Sequence, residues 1–283
     1  MKEPSFITYR NPWELAFECS KERCDIEEIT RVLRRIFMES DVKSREYLWA
    51  LEFIKAFKAN AKEDKVLELA LKMFTREVRG KLLRDTSPTT IVSVHEENFY
   101  LSMGLLTIWE YLAIVGVHDS IGAYISSLID ELWDDIALNY NKVRDLAKAV
   151  IEGPLSMLPE NIVFNVVKEI MGKSDKEDTL LFKIELLYSL TEWYNPKILL
   201  YDDKHRELLI KSMKNILKKI IELTGRNPEK SISLMKEFMV TLGRIDKLCL
   251  TQLMDTKPCD TIRESIVREM MMLFTVAKEK GYI

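Results

Sequence analysis

The side chains that most often carry out catalysis are scarce in this sequence. Only three histidines occur, His95, His118 and His205, which leaves few groups for acid–base chemistry near neutral pH. His95–Glu96 begins like the HExxH zinc motif, but Phe99 stands where the second histidine is needed. No P-loop, dinucleotide-binding glycine motif or nucleophile elbow is present in the sequence. The sequence therefore favours a non-enzymatic role and predicts no catalytic residue and no cofactor.

The four cysteines do not have the spacing of a metal site. Cys19 and Cys24 form a CxxxxC pair, and Cys249 and Cys259 are ten residues apart, whereas zinc sites use CxxC pairs or neighbouring histidines. No Glu lies three residues before any histidine, as helical di-metal proteins require. We predict no metal site, and buried free thiols are the favoured role of the cysteines.

Disulfides are the alternative. The chain has a single glutamine, Gln252, and many Lys and Glu residues, which is typical of proteins from hot environments. Because intracellular proteins of hyperthermophilic archaea can carry disulfides, a Cys19–Cys24 or Cys249–Cys259 bridge remains a hypothesis.

Glu110 is the single charged residue of the apolar segment Phe99–Val117. A carboxylate in such surroundings must be paired, protonated or exposed at a groove. One interpretation is a partner-binding site lined by Tyr100, Trp109 and Tyr111. The favoured interpretation is an ion pair with a Lys or Arg from a neighbouring helix.

A second acidic group comprises Asp130, Glu131, Asp134 and Asp135, beside Trp133. Like charges four residues apart on a helix cost roughly 0.2–0.5 kcal/mol for each pair. A divalent cation, a basic partner, or Lys and Arg of the same chain would offset that cost. We favour the last of these, and Trp133 and Asp134 remain candidates for partner binding.

Basic residues form stripes on two predicted helices. They are Arg76 and Arg79 (with Lys72) on one, and Lys204, Lys211, Lys214 and Lys218 within an arc of about 80° on the other. Such stripes can bind phosphate backbones. Glu207 and Glu222 interrupt the second stripe, however, and we expect Glu207–Lys211 and Lys218–Glu222 pairs. A solvated face is therefore the favoured interpretation, and a nucleic-acid face is the alternative.

The elements that must position these residues are helices. Apolar residues recur at i, i+3, i+4 and i+7 through the segments Ile29–Phe37, Tyr47–Phe57 and Val66–Leu82. Asp25, with Glu28 three residues later, predicts a helix start. Only Phe6–Arg10 and Thr90–Val94 suggest strands, and only weakly.

Short polar breaks, such as Asn139–Asn141, separate helices of roughly 20 residues, which predicts antiparallel hairpins. The expected fold is all-α with about 11–13 helices. The hairpins form either an irregular right-handed superhelix, at the repeat length of HEAT and armadillo arrays, or a compact multi-helix bundle. We predict one domain, 1–283, with two lobes meeting near 153–160 as an alternative. Because segment 99–117 is apolar on all sides, a compact or dimeric domain is favoured over an open superhelix.

Composition narrows the function classes further. The net charge of −3 and pI of about 5.9 argue against a surface that attracts nucleic acid or anionic membrane over its whole extent. The first ten residues lack the layout of a signal peptide, and segment 99–117 lacks flanking Lys or Arg. We expect a soluble, cytoplasmic protein without a membrane span. Met235, Met239 and Met270–Met272 could form an adaptable binding surface, although core packing is the commoner role of methionine.

Two functional hypotheses follow. The leading one is a helical scaffold that binds another protein or itself around Trp109, Glu110, Tyr111, Trp133 and Asp134. The alternative is nucleic-acid binding through the basic stripes, with a base-directed activity. Some helical-repeat proteins are DNA glycosylases, and the Trp133–Asp134 pair resembles the Trp and Asp that their sites use. No small-molecule substrate is indicated.

Overall fold

The structure is a computed structural model that describes residues 6–252, 257–279 and 281. It is 86% helical with 14 α-helices, and it contains no strand among the described residues, which confirms the all-α prediction. Short 3-10 helices lie at Phe6–Tyr9 and Pro154–Met157. The α-helices are α1 Pro12–Ser20, α2 Ile26–Glu39, α3 Arg45–Asn60, α4 Glu63–Met73, α5 Arg76–Asp85, α6 Pro88–Glu97, α7 Phe99–Ile114, α8 His118–Glu152, α9 Glu160–Gly172, α10 Glu177–Trp193, α11 Pro196–Tyr201, α12 Asp203–Thr224, α13 Pro228–Gln252 and α14 Lys257–Glu279.

Short polar side chains begin many of these helices, as the sequence predicts. Asp25 caps α2, where its Oδ1 accepts hydrogen bonds from the backbone N–H groups of Glu27 and Glu28 at 3.0 and 3.2 Å. Asn11 and Asn98 cap α1 and α7 in the same way. These caps satisfy N–H groups that have no partner within the helix.

Two local predictions are wrong. Segment 66–82 forms two helices, α4 and α5, because Thr75 caps the start of α5. The Thr75 hydroxyl accepts a hydrogen bond from the backbone N–H of Val78 at 3.4 Å. Leu67, expected on the inner face, is 42% exposed. Because segments such as 66–82 are split, the described residues contain more helices than the predicted 11–13. The two weakly suggested strands lie instead in the first 3-10 helix and in α6.

The chain forms two compact units. The first unit contains the residues up to Glu131 together with Glu152–Ile162, and the second contains Leu132–Ile151 and the residues from Val163 onward. The predicted meeting point of two lobes, 153–160, therefore lies within the first unit. Helix α8 belongs to both units and is interrupted at Asn139 (φ −161°, ψ 86°), inside the predicted break Asn139–Asn141.

Helix α7 forms the centre of the first unit. It packs against α3, α4, α6 and the 3-10 helix Pro154–Met157. Gly104 allows α7 to approach α3 closely, since a Cβ at this position would lie 2.9 Å from Leu51 Cδ1. The predicted burial of this helix is thus supplied by its own chain. In the second unit α10 packs against α13, and α12 packs against α11, α13 and α14.

All four cysteines are paired, as Cys19–Cys24 and Cys249–Cys259. The favoured prediction of free thiols is therefore wrong, and the disulfide hypothesis holds for both pairs. Within the described part of the chain, no helix combines the length and apolar character that a membrane span requires.

Candidate functional site

Glu110 forms an ion pair with Lys58 of α3, and both side chains are largely buried. The two aromatic neighbours of Glu110 have fully buried side chains. Trp109 Nε1 donates to the Thr86 carbonyl oxygen at 2.9 Å, and the Tyr111 hydroxyl donates to the Ile54 carbonyl oxygen at 3.0 Å. Burial, and secondarily the Glu110 carboxylate, raises the pKa of Tyr111.

These contacts assign Trp109 and Tyr111 to the core, which corrects the prediction that they line a partner surface. The ion-pair interpretation of Glu110 is the one that the structure supports. On α7 it is the first two residues, Phe99 and Tyr100, that face solvent, with 40% and 79% of their area exposed.

Trp133 is half-buried in the second unit, and its Nε1 donates to the Ser174 hydroxyl at 3.2 Å. The ammonium groups of Lys173 and Lys183 lie 5.5 and 5.7 Å from its ring centroid. Asp134, the residue paired with Trp133 in the glycosylase analogy, is exposed. Two lysines thus already lie near this indole, at distances typical of cation–π contacts.

Lys183 is a buried cation whose surroundings supply acceptors. Its Nζ donates to Asp175 Oδ1 at 2.6 Å and to the carbonyl oxygens of Lys173 and Met171 at 2.8 and 3.3 Å. Three acceptors match the three N–H bonds of an ammonium group. Desolvation, followed by the positive charge of Lys183, lowers the pKa of Lys173. Lys183 therefore caps the C-terminus of α9 by donating to its last carbonyl oxygens, which is a structural role.

Two members of the acidic group on α8 have partners in their own chain, one a hydroxyl and one a cation. Glu131 Oε1 accepts from the Thr89 hydroxyl at 3.0 Å, and Asp135 Oδ1 lies 3.9 Å from Lys142 Nζ. Among the described residues, no set of three or more His, Cys, Asp or Glu side chains is arranged to hold a metal ion.

The side chains of the basic stripes differ in whether they contact an acceptor of their own chain or are exposed to solvent. Arg79 Nε donates to the Phe74 carbonyl oxygen at 2.7 Å, and Arg76 is exposed. On α12, Lys204, Lys211 and Lys218 are exposed, whereas Lys214 Nζ lies 3.6 Å from Glu269. The expected Lys218–Glu222 pair is wrong, because Glu222 pairs with Lys219 at 2.9 Å. The two stripes belong to different units.

The C-terminal helix α14 exposes a large apolar surface. Its inner residues Ile262, Ile266, Leu273 and Ala277 are buried, and the helix packs on α12. Three further apolar residues on one face have between 45% and 68% of their area exposed. They form what we call the α14 stripe: Val267, Met271 and Phe274.

The α14 stripe is continuous along the helix. Its members follow i, i+4, i+7 spacing and so lie within about 60° of one another. Exposed Glu264 lies three residues before Val267, and exposed Lys278 four residues after Phe274, so opposite charges end the stripe. Met272 and Val276 add exposed apolar area on an adjoining face. The predicted Met-rich segment is thus largely a surface.

Val267 and Phe274 are not among the residues that the sequence predicts to bind a partner. Their helical spacing is visible in the sequence, but α14 has apolar residues on two faces, and the sequence does not show which face is buried. The chain matches no protein-family model and no curated protein.

Proposed function

We propose that this chain is a non-enzymatic helical scaffold that self-associates through the α14 stripe. The observation that carries the proposal is an exposed row of large apolar side chains on a helix whose opposite face is already buried. One apolar face is enough to dock a helix on its own domain. A second contiguous apolar face marks an interaction surface, and methionine adapts well to such contacts.

The charges at the ends of the stripe favour a second copy of this chain as the partner. Glu264 lies seven residues before Met271, and Lys278 lies seven residues after it. In an antiparallel pairing of two α14 helices about a two-fold axis at Met271, Glu264 of each copy meets Lys278 of the other. The same pairing brings Val267 next to Phe274 of the second copy. A two-fold interface requires this kind of self-complementarity.

Multi-angle light scattering over a range of concentrations tests the proposal. One helix face makes a small interface, so we expect a weak dimer that forms as concentration rises. Met271→Glu should keep the chain monomeric over that range, because dimerisation would bury two unpaired carboxylates. Leu71→Glu is the matched control, since Leu71 is equally apolar and 57% exposed but lies on α4. A monomeric wild type, or a Met271→Glu chain that still dimerises, would overturn the proposal.

A charge exchange tests the antiparallel register. Glu264→Lys and Lys278→Glu should each weaken the dimer, because each places like charges opposite one another. The double variant restores opposite charges and should recover most of the wild-type dimerisation. If the double variant is weaker than both single variants, the register is wrong.

Nucleic-acid binding through α12 is the second candidate, and the exposure of Lys204, Lys211 and Lys218 is the observation that favours it. Fluorescence anisotropy with single- and double-stranded DNA, at several salt concentrations, tests it. Binding through three lysines should lose roughly three units of the slope of log affinity against log salt when all three become Ala. Replacing the exposed lysines Lys55, Lys168 and Lys236 is the matched control. If the two triple variants have the same slope, the α12 face is excluded as the nucleic-acid-binding surface.

We also propose that the protein is cytoplasmic. The two disulfides then limit the organisms in which it could occur. Disulfides persist in oxidising compartments or inside hyperthermophiles. The Lys- and Glu-rich composition with a single Gln favours the second setting. When cells are lysed and the protein is unfolded in the presence of an alkylating agent, intact-mass measurement should find no alkylated cysteine. Four alkylated cysteines would contradict the pairing.

A further inference from the structure

A partly open groove lies among α8, α10 and α13 in the second unit. Its cavity volume is about 290 Å³, close to the lower end of small-ligand pockets at roughly 300 Å³. This space holds roughly ten water molecules at about 30 Å³ each, so a small organic molecule fits in it. Ile184 and Val240 give the lining apolar surface, and Tyr188, Ser189 and Thr241 add a phenol ring and two hydroxyl groups.

Arg144 of α8 lines the groove with a guanidinium group that its neighbours hold in place. Its Nε donates to Glu185 Oε2 at 3.3 Å, and its Nη2 donates to Glu185 Oε1. The hydroxyl of the buried Tyr140 also donates to Glu185 Oε2, at 2.8 Å. Such bidentate, charge-assisted bonds fix the plane of a guanidinium group. Because 42% of the Arg144 side chain is exposed and a guanidinium has five N–H bonds, donors remain for a ligand.

Charges of both signs line the groove, and they come from different helices. Arg144 and Lys148 are contributed by α8, and Glu237 by α13. The Glu185 carboxylate is already bound to Arg144, whereas Glu237 is exposed and pairs with no cation among the described residues. The hydrogen bond with Glu185 raises the pKa of Arg144, and the negative charge of Glu237 adds to this rise at longer range. Arg144 and Glu237 therefore border one space and are close enough to interact electrostatically.

A ligand with a single charge is a poor match for this lining. The two cations of α8 attract an anion, but Glu237 repels it, and a monovalent cation meets the reverse. A molecule that carries both charges satisfies both sides of the groove. In an α-amino acid the two charged groups are attached to one carbon atom, so they suit charged partners that border one small space. Val240 has 57% of its area exposed, and an apolar side chain of the ligand would cover it.

We infer that this groove binds a free α-amino acid with an aliphatic side chain, its carboxylate on Arg144 and its ammonium group on Glu237. The carboxylate accepts from the guanidinium N–H groups that Glu185 leaves open. The aliphatic side chain packs on Ile184 and Val240 and removes apolar area from water. Leucine represents this ligand class.

NMR titration with L-leucine, isoamylamine and isocaproate at neutral pH tests the inference on the wild-type chain. Isoamylamine is leucine without the carboxylate, and isocaproate is leucine without the amino group, so the apolar part stays the same. We expect L-leucine to bind at least about tenfold more tightly than either, because each of the other two lacks one charged contact. An affinity for L-leucine no higher than that for either analogue, or no binding of L-leucine up to its solubility limit, would overturn the inference.

The same titration locates the ligand and tests the role of its side chain. L-Leucine should shift the backbone amide signals of Ser189 and Thr241, which line the groove. Shifts confined to residues outside the groove would place the ligand elsewhere and contradict the inference. Glycine has both charged groups but no side chain, so it should bind several-fold more weakly than L-leucine. Equal affinities for the two amino acids would show that Ile184 and Val240 do not bind an aliphatic group.

Charge-neutralising variants complete the test. Glu237→Gln should remove the preference for L-leucine over isocaproate, and Glu229→Gln, the same change at another exposed position of α13, should retain it. A preference that survives Glu237→Gln would overturn the assignment of the ammonium group. Arg144→Gln should remove the preference for L-leucine over isoamylamine, and Arg268→Gln on α14 is its control.

Two safeguards keep these results decisive. If Arg144→Gln unfolds because Glu185 loses its partner, the wild-type ligand series and the exposed Glu237 still decide. Met271→Glu should bind L-leucine as the wild type does, so this site is tested separately from the proposed dimer.

Discussion

Helix α7 in the first unit and the apolar recess around His205 in the second both surround polar groups with apolar side chains. Phe164, Leu187 and Leu209 are among the side chains that line this recess. The polar groups of the two regions differ in their hydrogen bonds. Around α7 the Glu110 carboxylate has Lys58, and the Trp109 N–H and Tyr111 hydroxyl have backbone acceptors. In the recess, His205 is held by Asp202 on one side, and its Nε2 has no partner among the described residues.

The difference is whether each buried polar atom has its hydrogen bonds made. A buried group with all its hydrogen bonds made gains nothing from a ligand, whereas a buried acceptor left open can gain a bond when a donor arrives. Trp133 resembles the α7 side chains in this respect, because its Nε1 donates to the Ser174 hydroxyl.

The largest effect should come from truncating the core at α7. Trp109→Ala should lower the free energy of unfolding by about 3–5 kcal/mol, because the fully buried indole leaves a cavity that its packed neighbours cannot fill. Phe164→Ala should cost clearly less, since this half-buried ring already borders open space. Urea unfolding measures both. Tyr100→Ala is the control on α7, and equal costs for Trp109 and Phe164 would remove the contrast.

Breaking the α7 ion pair should have the next largest effect. Glu110→Gln should cost on the order of 1–3 kcal/mol, because Lys58 then keeps a partly buried charge without a counter-charge. Adding Lys58→Met should recover much of that loss. A double-mutant cycle by urea unfolding gives the coupling. Additive costs would show that the two side chains do not depend on each other.

Much of the fold follows from local sequence signals. Asp25 and the apolar spacing after it predict α2 closely, and the uniformly apolar 99–117 segment predicts a buried helix. The break at Thr75 was missed because Met73, Phe74, Val78 and Leu82 keep helical spacing across it, and only one hydroxyl marks the new start.

The sites depend on long-range packing that no single segment encodes. The sequence predicts a basic partner for Glu110, but Lys58 lies 52 residues away and is one of many candidates. The recess needs side chains from four helices. Its one local signal was Asp202-x-x-His205, which a search for Glu-x-x-His passes over.

The third largest effect should be a loss of stability at alkaline pH, caused by the buried tyrosines of the first unit. Burial raises the pKa of Tyr111 and of Tyr47 above their ordinary value of 10.0. The unfolded chain therefore loses these protons first, and stability that is complete below pH 10 falls as the pH rises further. Each tyrosine should cost about 1.4 kcal/mol per pH unit above its unfolded pKa. Tyr111→Phe should flatten the fall seen by urea unfolding between pH 9 and 11, and an unchanged slope would contradict its burial.

The smallest effect concerns the Asp202 side of the recess. The hydrogen bond from His205 holds the pKa of Asp202 below its ordinary value of 3.8, so its contribution is present above that pH and lost as the pH falls below it. Asp202→Asn should reduce the drop in melting temperature between pH 5 and 3. Asp134→Asn, at an exposed carboxylate on α8, should not. Because Asn caps helices as well as Asp does, any difference reports the lost charge opposite His205 and not a lost cap.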